Sequence, residues 1–123
     1  MTSVNARARA AGKTWERDIR THFRGEGFDI ESLRLSGRFD EGDHAIRLNG
    51  AVVVVEAKNE KAINLSGYMA EAVSEADNFA KARGLDRGSV FPVSVVKKRG
   101  TGTGGGYVVT SVDEFVKLIG RLK

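Results

Sequence analysis

Two carboxylates and a lysine stand where a hairpin would bring them together. In "GDHAIRLNGAVVVVEAK", residues 42–58, the dipeptide Asn49-Gly50 tolerates the positive φ values of a type I′ turn and is flanked by Asp43–Leu48 and Ala51–Lys58. With Asn49 and Gly50 at the centre of the turn, Leu48 pairs with Ala51, and stepping outward puts Asp43 opposite Glu56. Directly opposed residues hold their Cβ atoms about 4.5–5.5 Å apart on one face of the sheet. Two acids would then share one spot.

Strand parity puts Val52, Val54, Glu56 and Lys58 on one face and Val53, Val55 and Ala57 on the other. Both faces are apolar, so the strand is central. Like charges opposed on a central strand destabilise it unless one carboxyl keeps its proton or a cation lies between them. A hard divalent cation such as Mg²⁺ fits, because it takes carboxylate oxygens and water and is commonly held by one or two carboxylates. Lys58, on the same face, could then position or deprotonate a water, or stabilise negative charge on a phosphate. The bland reading of Glu-x-Lys is a solvated strand end carrying an ion pair of little worth. It is the Asp-to-Glu register across the turn that favours a metal site.

The elements that must position these groups follow from periodicity. Ala8, Trp15, Ile19 and Phe23 recur at helical spacing from about Asn5 to Arg24, and "RGEG" ends that helix. Phe28 to Leu35 reads as a strand whose apolar phase slips after Ile30, which suggests a bulge before "SGRFDEGD". Leu65, Tyr68, Met69, Ala72, Val73, Ala76, Phe79 and Ala80 make the apolar stripe of a second helix closed by Gly84. Glu71 and Glu75 fall on its polar side, where solvation is the simplest expectation. "SVFPVSVVKK" is a strand in which Pro92 delays pairing to Val93 or faces an unpaired edge, and "GYVVT" is a short further strand. Ser111 and Glu114 form a capping box for a C-terminal helix. The order αβββαββα implies an α/β fold with a mixed sheet.

Composition bounds the function. The 123 residues suit one domain, 1–123, and the net charge of +4 suits a polyanionic partner without demonstrating one. The chain has no cysteine, and its two histidines argue against a zinc centre. The valine run is far short of a membrane span and the N-terminus lacks a signal-peptide core, so the expectation is a soluble cytoplasmic protein. "GTGTGG" matches Gly-x-Gly-x-x-Gly but joins two strands, which argues against a nucleotide cofactor; the surrounding "RGTGTGGGY" reads as a mobile loop. His44 has the opposite parity to Asp43, so packing or surface is its expected role, and Tyr68 and Met69 belong to the core stripe.

"GD", twelve intervening residues and "EAK" resemble the motif of the PD-(D/E)XK nuclease superfamily, with Gly42 in place of its proline. Within it, "GKTWERDIRTHFRGEGFDIESLRLSGRFDEGDHAI" is similar to the opening of archaeal-type and phage Holliday junction resolvases, and the resemblance covers roughly residues 12–80. It implies a restriction-endonuclease-like αβββαβ core, Mg²⁺ with Mn²⁺ as substitute, and paired symmetric nicks in four-way DNA junctions by a homodimer. It makes Asp43 and Glu56 metal ligands and Lys58 the catalytic lysine. Glu16 completes the site; without the resemblance it would be a surface residue paired with Arg20. The backbone carbonyl of Ala57 is a further ligand candidate, because its side chain faces away. Arg7, Arg9, Lys13, Arg17, Arg34, Arg38 and Lys61 are phosphate-contact candidates, with Ser36 where the resolvases carry a serine. Two alternatives stand beside this: a nuclease of the same superfamily acting on flaps, nicks or duplex, and an inactive DNA-binding module of the same fold.

Overall fold

The computed structural model of the protein describes residues 4–33 and 40–123. Helix α1 (Val4–Gly25) leads into strands β1 (Asp29–Ser32), β2 (His44–Leu48) and β3 (Ala51–Lys58). Helix α2 (Leu65–Arg83), strand β4 (Val90–Val96), strand β5 (Tyr107–Val109) and helix α3 (Val112–Gly120) follow. The five strands form one mixed sheet in the order β1-β2-β3-β4-β5, parallel between β3 and β4 and antiparallel elsewhere. This is an α/β fold with helices on the sheet's faces. Among the described residues no helix is long and apolar enough to cross a membrane.

The two-faced valine strand sits where its pattern requires, in the middle of the sheet. Val55 packs with Trp15, Ile19, Ile30 and Ile46 under α1, with Val53 and Ala57 at the margin; Val54 packs with Ala45, Ala76, Phe79 and Ala80 under α2. Trp15 also donates from Nε1 to the Val95 carbonyl at 3.1 Å, which fixes α1 to β4 while satisfying a buried N–H. The Asn49-Gly50 turn sets the expected register, from Leu48↔Ala51 to His44↔Val55. Gly84 closes α2 in the left-handed region, and Ser111 caps α3 by accepting from Glu114 N. On α3, Val112, Phe115, Val116 and Ile119 are left exposed, as is Leu122 just beyond it.

Three expectations change. The slip between Ile30 and Leu33 is not a bulge: Asp29–Ser32 pairs without interruption, and Ile30 and Leu33 simply serve opposite faces, one under each helix. The strand is also shorter than Phe28–Leu35, with Phe28 exposed before it. Pro92 lies within a fully buried strand paired with β3 from Val90 on. Its carbonyl accepts from Thr110 Oγ1, so its ring nitrogen faces the β5 side, where pairing starts only at Ser94; of the two expected solutions, the proline takes the unpaired edge. The glycine-rich segment is partly ordered instead of a free loop. Thr103–Gly105 makes a turn of 3₁₀ helix, and a Cβ at Gly106 would stand 2.9 Å from the Val96 carbonyl and 3.3 Å from Trp15. Absence of a side chain lets this backbone close against α1.

Candidate metal and active site

The acid site lies at the end of β2, where the ladder breaks. Asp43 N donates to Val55 O at 2.9 Å, the residue already opposite His44, so Asp43 and His44 face one residue as in a β-bulge. Asp43 is therefore not the simple cross-strand partner of Glu56 that an unbroken register predicts. The bulge re-aims its carboxylate, and Oδ2 accepts from Ala57 N at 2.8 Å. Gly42 makes this possible. Its φ of 99° is open to glycine and closed to proline, whose ring holds φ near about −65°. A Cβ there would stand 2.8 Å from Val54 Cγ1 and 3.3 Å from both Glu75 Oε2 and Val55 O. Gly42→Ala should accordingly destabilise the fold by about 2–3 kcal/mol, a fall of about 10 °C in melting temperature. A thermal melt by circular dichroism within 2 °C, roughly 0.5 kcal/mol, of wild type would contradict this account.

Glu16 joins Asp43 from α1, contrary to the surface pairing with Arg20. Its carboxyl lies against that of Asp43, and with burial as the larger cause this contact raises the Asp43 pKa to about 6, although the Ala57 N–H pulls the other way. His44 is wholly buried, as its parity allowed, and its Nε2 lies 2.9 Å from the Glu16 backbone carbonyl. It thus ties α1 to β2 at the residue that delivers the acid.

Glu56 is 7 % exposed. Burial first, then the carboxyls of Glu75, Asp43 and Glu71, push its pKa up to about 11. Lys58 Nζ is 3.6 Å from Glu56 Oε1 and 2.5 Å from Glu71 Oε2, with Tyr68 beneath it at 5.4 Å from the ring centroid. Burial works against the ammonium, but the hydrogen bond to Glu71 and the field of Glu56 outweigh it and hold its pKa above the ordinary value.

The expectation of solvated Glu71 and Glu75 fails. Glu75 is 2 % exposed and contributes to the same acidic pocket, its pKa lifted to about 7 by burial and the neighbouring carboxylates of Asp40, Glu71 and Asp43. Glu71 is exposed but engaged with Lys58. Among the described residues no basic, amide or hydroxyl group reaches Glu56 Oε2 or either oxygen of Glu75. Buried carboxylate oxygens met only by other carboxyl groups are a donor set for a hard cation. Asp43 and Glu16 meet carboxyl to carboxyl with Glu56 in the field of Asp43, while the three acids whose oxygens gather within 4.8 Å of one another among the described residues are Asp40, Glu71 and Glu75; Ala57, whose N–H points at Asp43, carries its carbonyl on the same strand edge.

Of the other candidates, Arg7, Arg9, Lys13 and Arg17 are exposed along α1, and Lys61 is exposed beyond β3. Arg17 has only a loose 3.8 Å pairing with Asp18. Arg34, Ser36 and Arg38 lie outside the described residues.

No family model matches the chain, and no curated protein matches it. Among solved structures its fold is similar to that of Hjc, a Holliday junction resolvase from the archaeal hyperthermophile Archaeoglobus fulgidus. The TM-score is 0.51 at 21% identity, covering 74% of this chain and 67% of that one. At that identity the likeness is one of fold: a mixed sheet with helices packed on it, built in the same way.

Proposed function

We propose that the chain is a divalent-cation-dependent DNA endonuclease of the PD-(D/E)XK type, with the four-way junction as its preferred substrate. The observation that carries this reading is the meeting of Asp43, Glu56, Glu16 and Lys58 at one bulged strand end, within a fold like that of a junction resolvase.

Asp43, Glu56 and Glu16, with the Ala57 carbonyl, would hold Mg²⁺ or Mn²⁺. When bound, such a cation makes water a stronger nucleophile and offsets charge on a phosphate. The chain's own groups supply the rest. The half-buried carboxylates of Asp43 and Glu16 are fixed in place, Asp43 by the Ala57 N–H and Glu16 by the His44–backbone contact. Lys58 stays charged at neutral pH, which favours stabilisation of a phosphate over removal of a proton. Arg7, Arg9, Lys13, Arg17 and Lys61 offer phosphate contacts, with Arg34 and Arg38 as further candidates by their charge and Ser36 by the resemblance. Two symmetric cuts need two active sites, hence a two-fold dimer, and the exposed apolar row on α3 supplies area that pairing would bury.

Cleavage of a labelled four-way junction and of linear duplex, by wild type and Asp43→Asn with Mg²⁺, tests the reading. Paired symmetric nicks in the junction, lost in the variant, are expected. Equal cutting of both substrates would keep the nuclease and remove the junction preference. Junction binding without cleavage under Mg²⁺ or Mn²⁺ would make the chain a binding module.

A further inference from the structure

We propose a second divalent-cation site in this protein, formed by Asp40, Glu71 and Glu75 on the α2 side of the sheet, adjoining the Asp43–Glu56–Glu16 set. One carboxylate oxygen from each of the three lies within 4.8 Å of the other two. Acidic clusters alone are common; here the buried member supplies a second observation. Glu75 is 98 % removed from solvent with neither oxygen met by a basic, amide or hydroxyl group among the described residues, and it projects toward Asp40 and Glu71. A carboxylate so placed costs folding energy unless it is protonated or coordinated.

The other two ligands are held in place by contacts that leave oxygens available. The Asp40 backbone carbonyl accepts from Asn78 Nδ2 at 2.8 Å, and its Oδ1 accepts from Gly42 N at 2.9 Å. The adjacent Glu41 pairs with Arg83, so the segment before the bulge is fastened to α2 at two points. Glu71 Oε2 accepts from Lys58 Nζ at 2.5 Å. The absence of a side chain at Gly42 leaves room for Glu75 Oε2, which would stand 3.3 Å from a Cβ there. Three carboxylates with open outer faces on Asp40 and Glu71 suit an ion that retains waters, Mg²⁺ or Mn²⁺.

The arrangement has a consequence for Lys58. A cation at this site competes with the ammonium for Glu71, and a displaced Lys58 turns to Glu56 Oε1, 3.6 Å away, and to any phosphate beside it. In the cation-free chain Glu71 thus parks the lysine. That part rests on the nuclease reading; the binding itself does not.

Counting bound Mn²⁺ by electron paramagnetic resonance tests the site. Wild type should bind two ions, Asp40→Asn/Glu71→Gln one, and Asp43→Asn should lose a different one, so that combining all three substitutions removes both. Asp40 and Glu71 are exposed, so their variant should melt as wild type does. Lys58→Met should tighten the weaker Mn²⁺ site several-fold by freeing Glu71. One ion in wild type, or two in Asp40→Asn/Glu71→Gln, overturns the site; weaker binding in Lys58→Met overturns the competition. Two bound ions without DNA cleavage would leave this inference standing and remove the nuclease reading, whereas cleavage with a single bound ion would do the opposite.

Discussion

Glu56→Gln is expected to abolish metal-dependent DNA cleavage, by about 10³-fold or more, without weakening the cation-free fold. The two effects share one cause. Glu56 is buried among acids that raise its pKa to about 11, so near neutral pH without a cation it carries a proton and can share it with Glu75. Glutamine copies that protonated form in shape and in its ability to donate, while it cannot serve as an anionic ligand. Its melting temperature in EDTA should equal wild type or exceed it, and the added stability that Mg²⁺ gives wild type should shrink. A variant that cleaves normally would mean Glu56 does not hold the reaction's cation. One that unfolds would mean Glu56 is a structural ion whose charge the fold requires. Glu56→Ala distinguishes less, because it also removes packing volume.

Much of this arrangement was legible in the sequence, for reasons that are local. An Asn-Gly pair between two strands fixes the turn, the turn fixes the register, and alternation of side chains fixes the faces; the pairs from Leu48↔Ala51 to His44↔Val55 follow. The break at Asp43 was not legible, because it depends on the positive φ of Gly42 and on contacts from α2 that no periodicity announces. Glu71 and Glu75 were misread for a related reason. On a helix drawn alone they lie off the apolar stripe, and a polar side is assumed to be wet. A crossover helix, however, runs back along the strand it follows, so the start of α2 lies over the end of β3. There the α2 face of β3 changes from Val52 and Val54 to Glu56 and Lys58, and the helix changes with it, from Ala76, Phe79 and Ala80 to Glu75 and Glu71. That paired change from apolar to acidic was available as a signal. The resemblance, in turn, reached Glu16, whose environment the periodicity of α1 left as surface; the carboxyl meets Asp43 because α1 crosses the sheet there, tied by Trp15 to β4 and by His44 to β2.

The same crowding of acids dictates an unusual pH profile. Asp43, with its folded pKa near 6, and Glu75, near 7, both bind protons more tightly in the folded chain than their ordinary values of 3.8 and 4.5. Stability from such groups is fully present below the unfolded values and is lost as pH rises through the folded ones. From these two groups the cation-free protein should therefore lose on the order of 4 kcal/mol between pH 5 and pH 8, a drop of about 10 °C or more in melting temperature, and Glu56, which keeps its proton across the same window, deepens the fall there and continues it above. Divalent cation should reverse the slope. Its ligands must be deprotonated, so the gain from Mg²⁺ is small at pH 5 and large at pH 8. Thermal melts at the two pH values, in EDTA and in Mg²⁺, read both slopes at once. A cation-free protein that melts higher at pH 8 than at pH 5 would contradict the buried-acid account. A Mg²⁺ gain equal at both would place the ion on carboxylates that are already charged at pH 5, away from Asp43, Glu56 and Glu75.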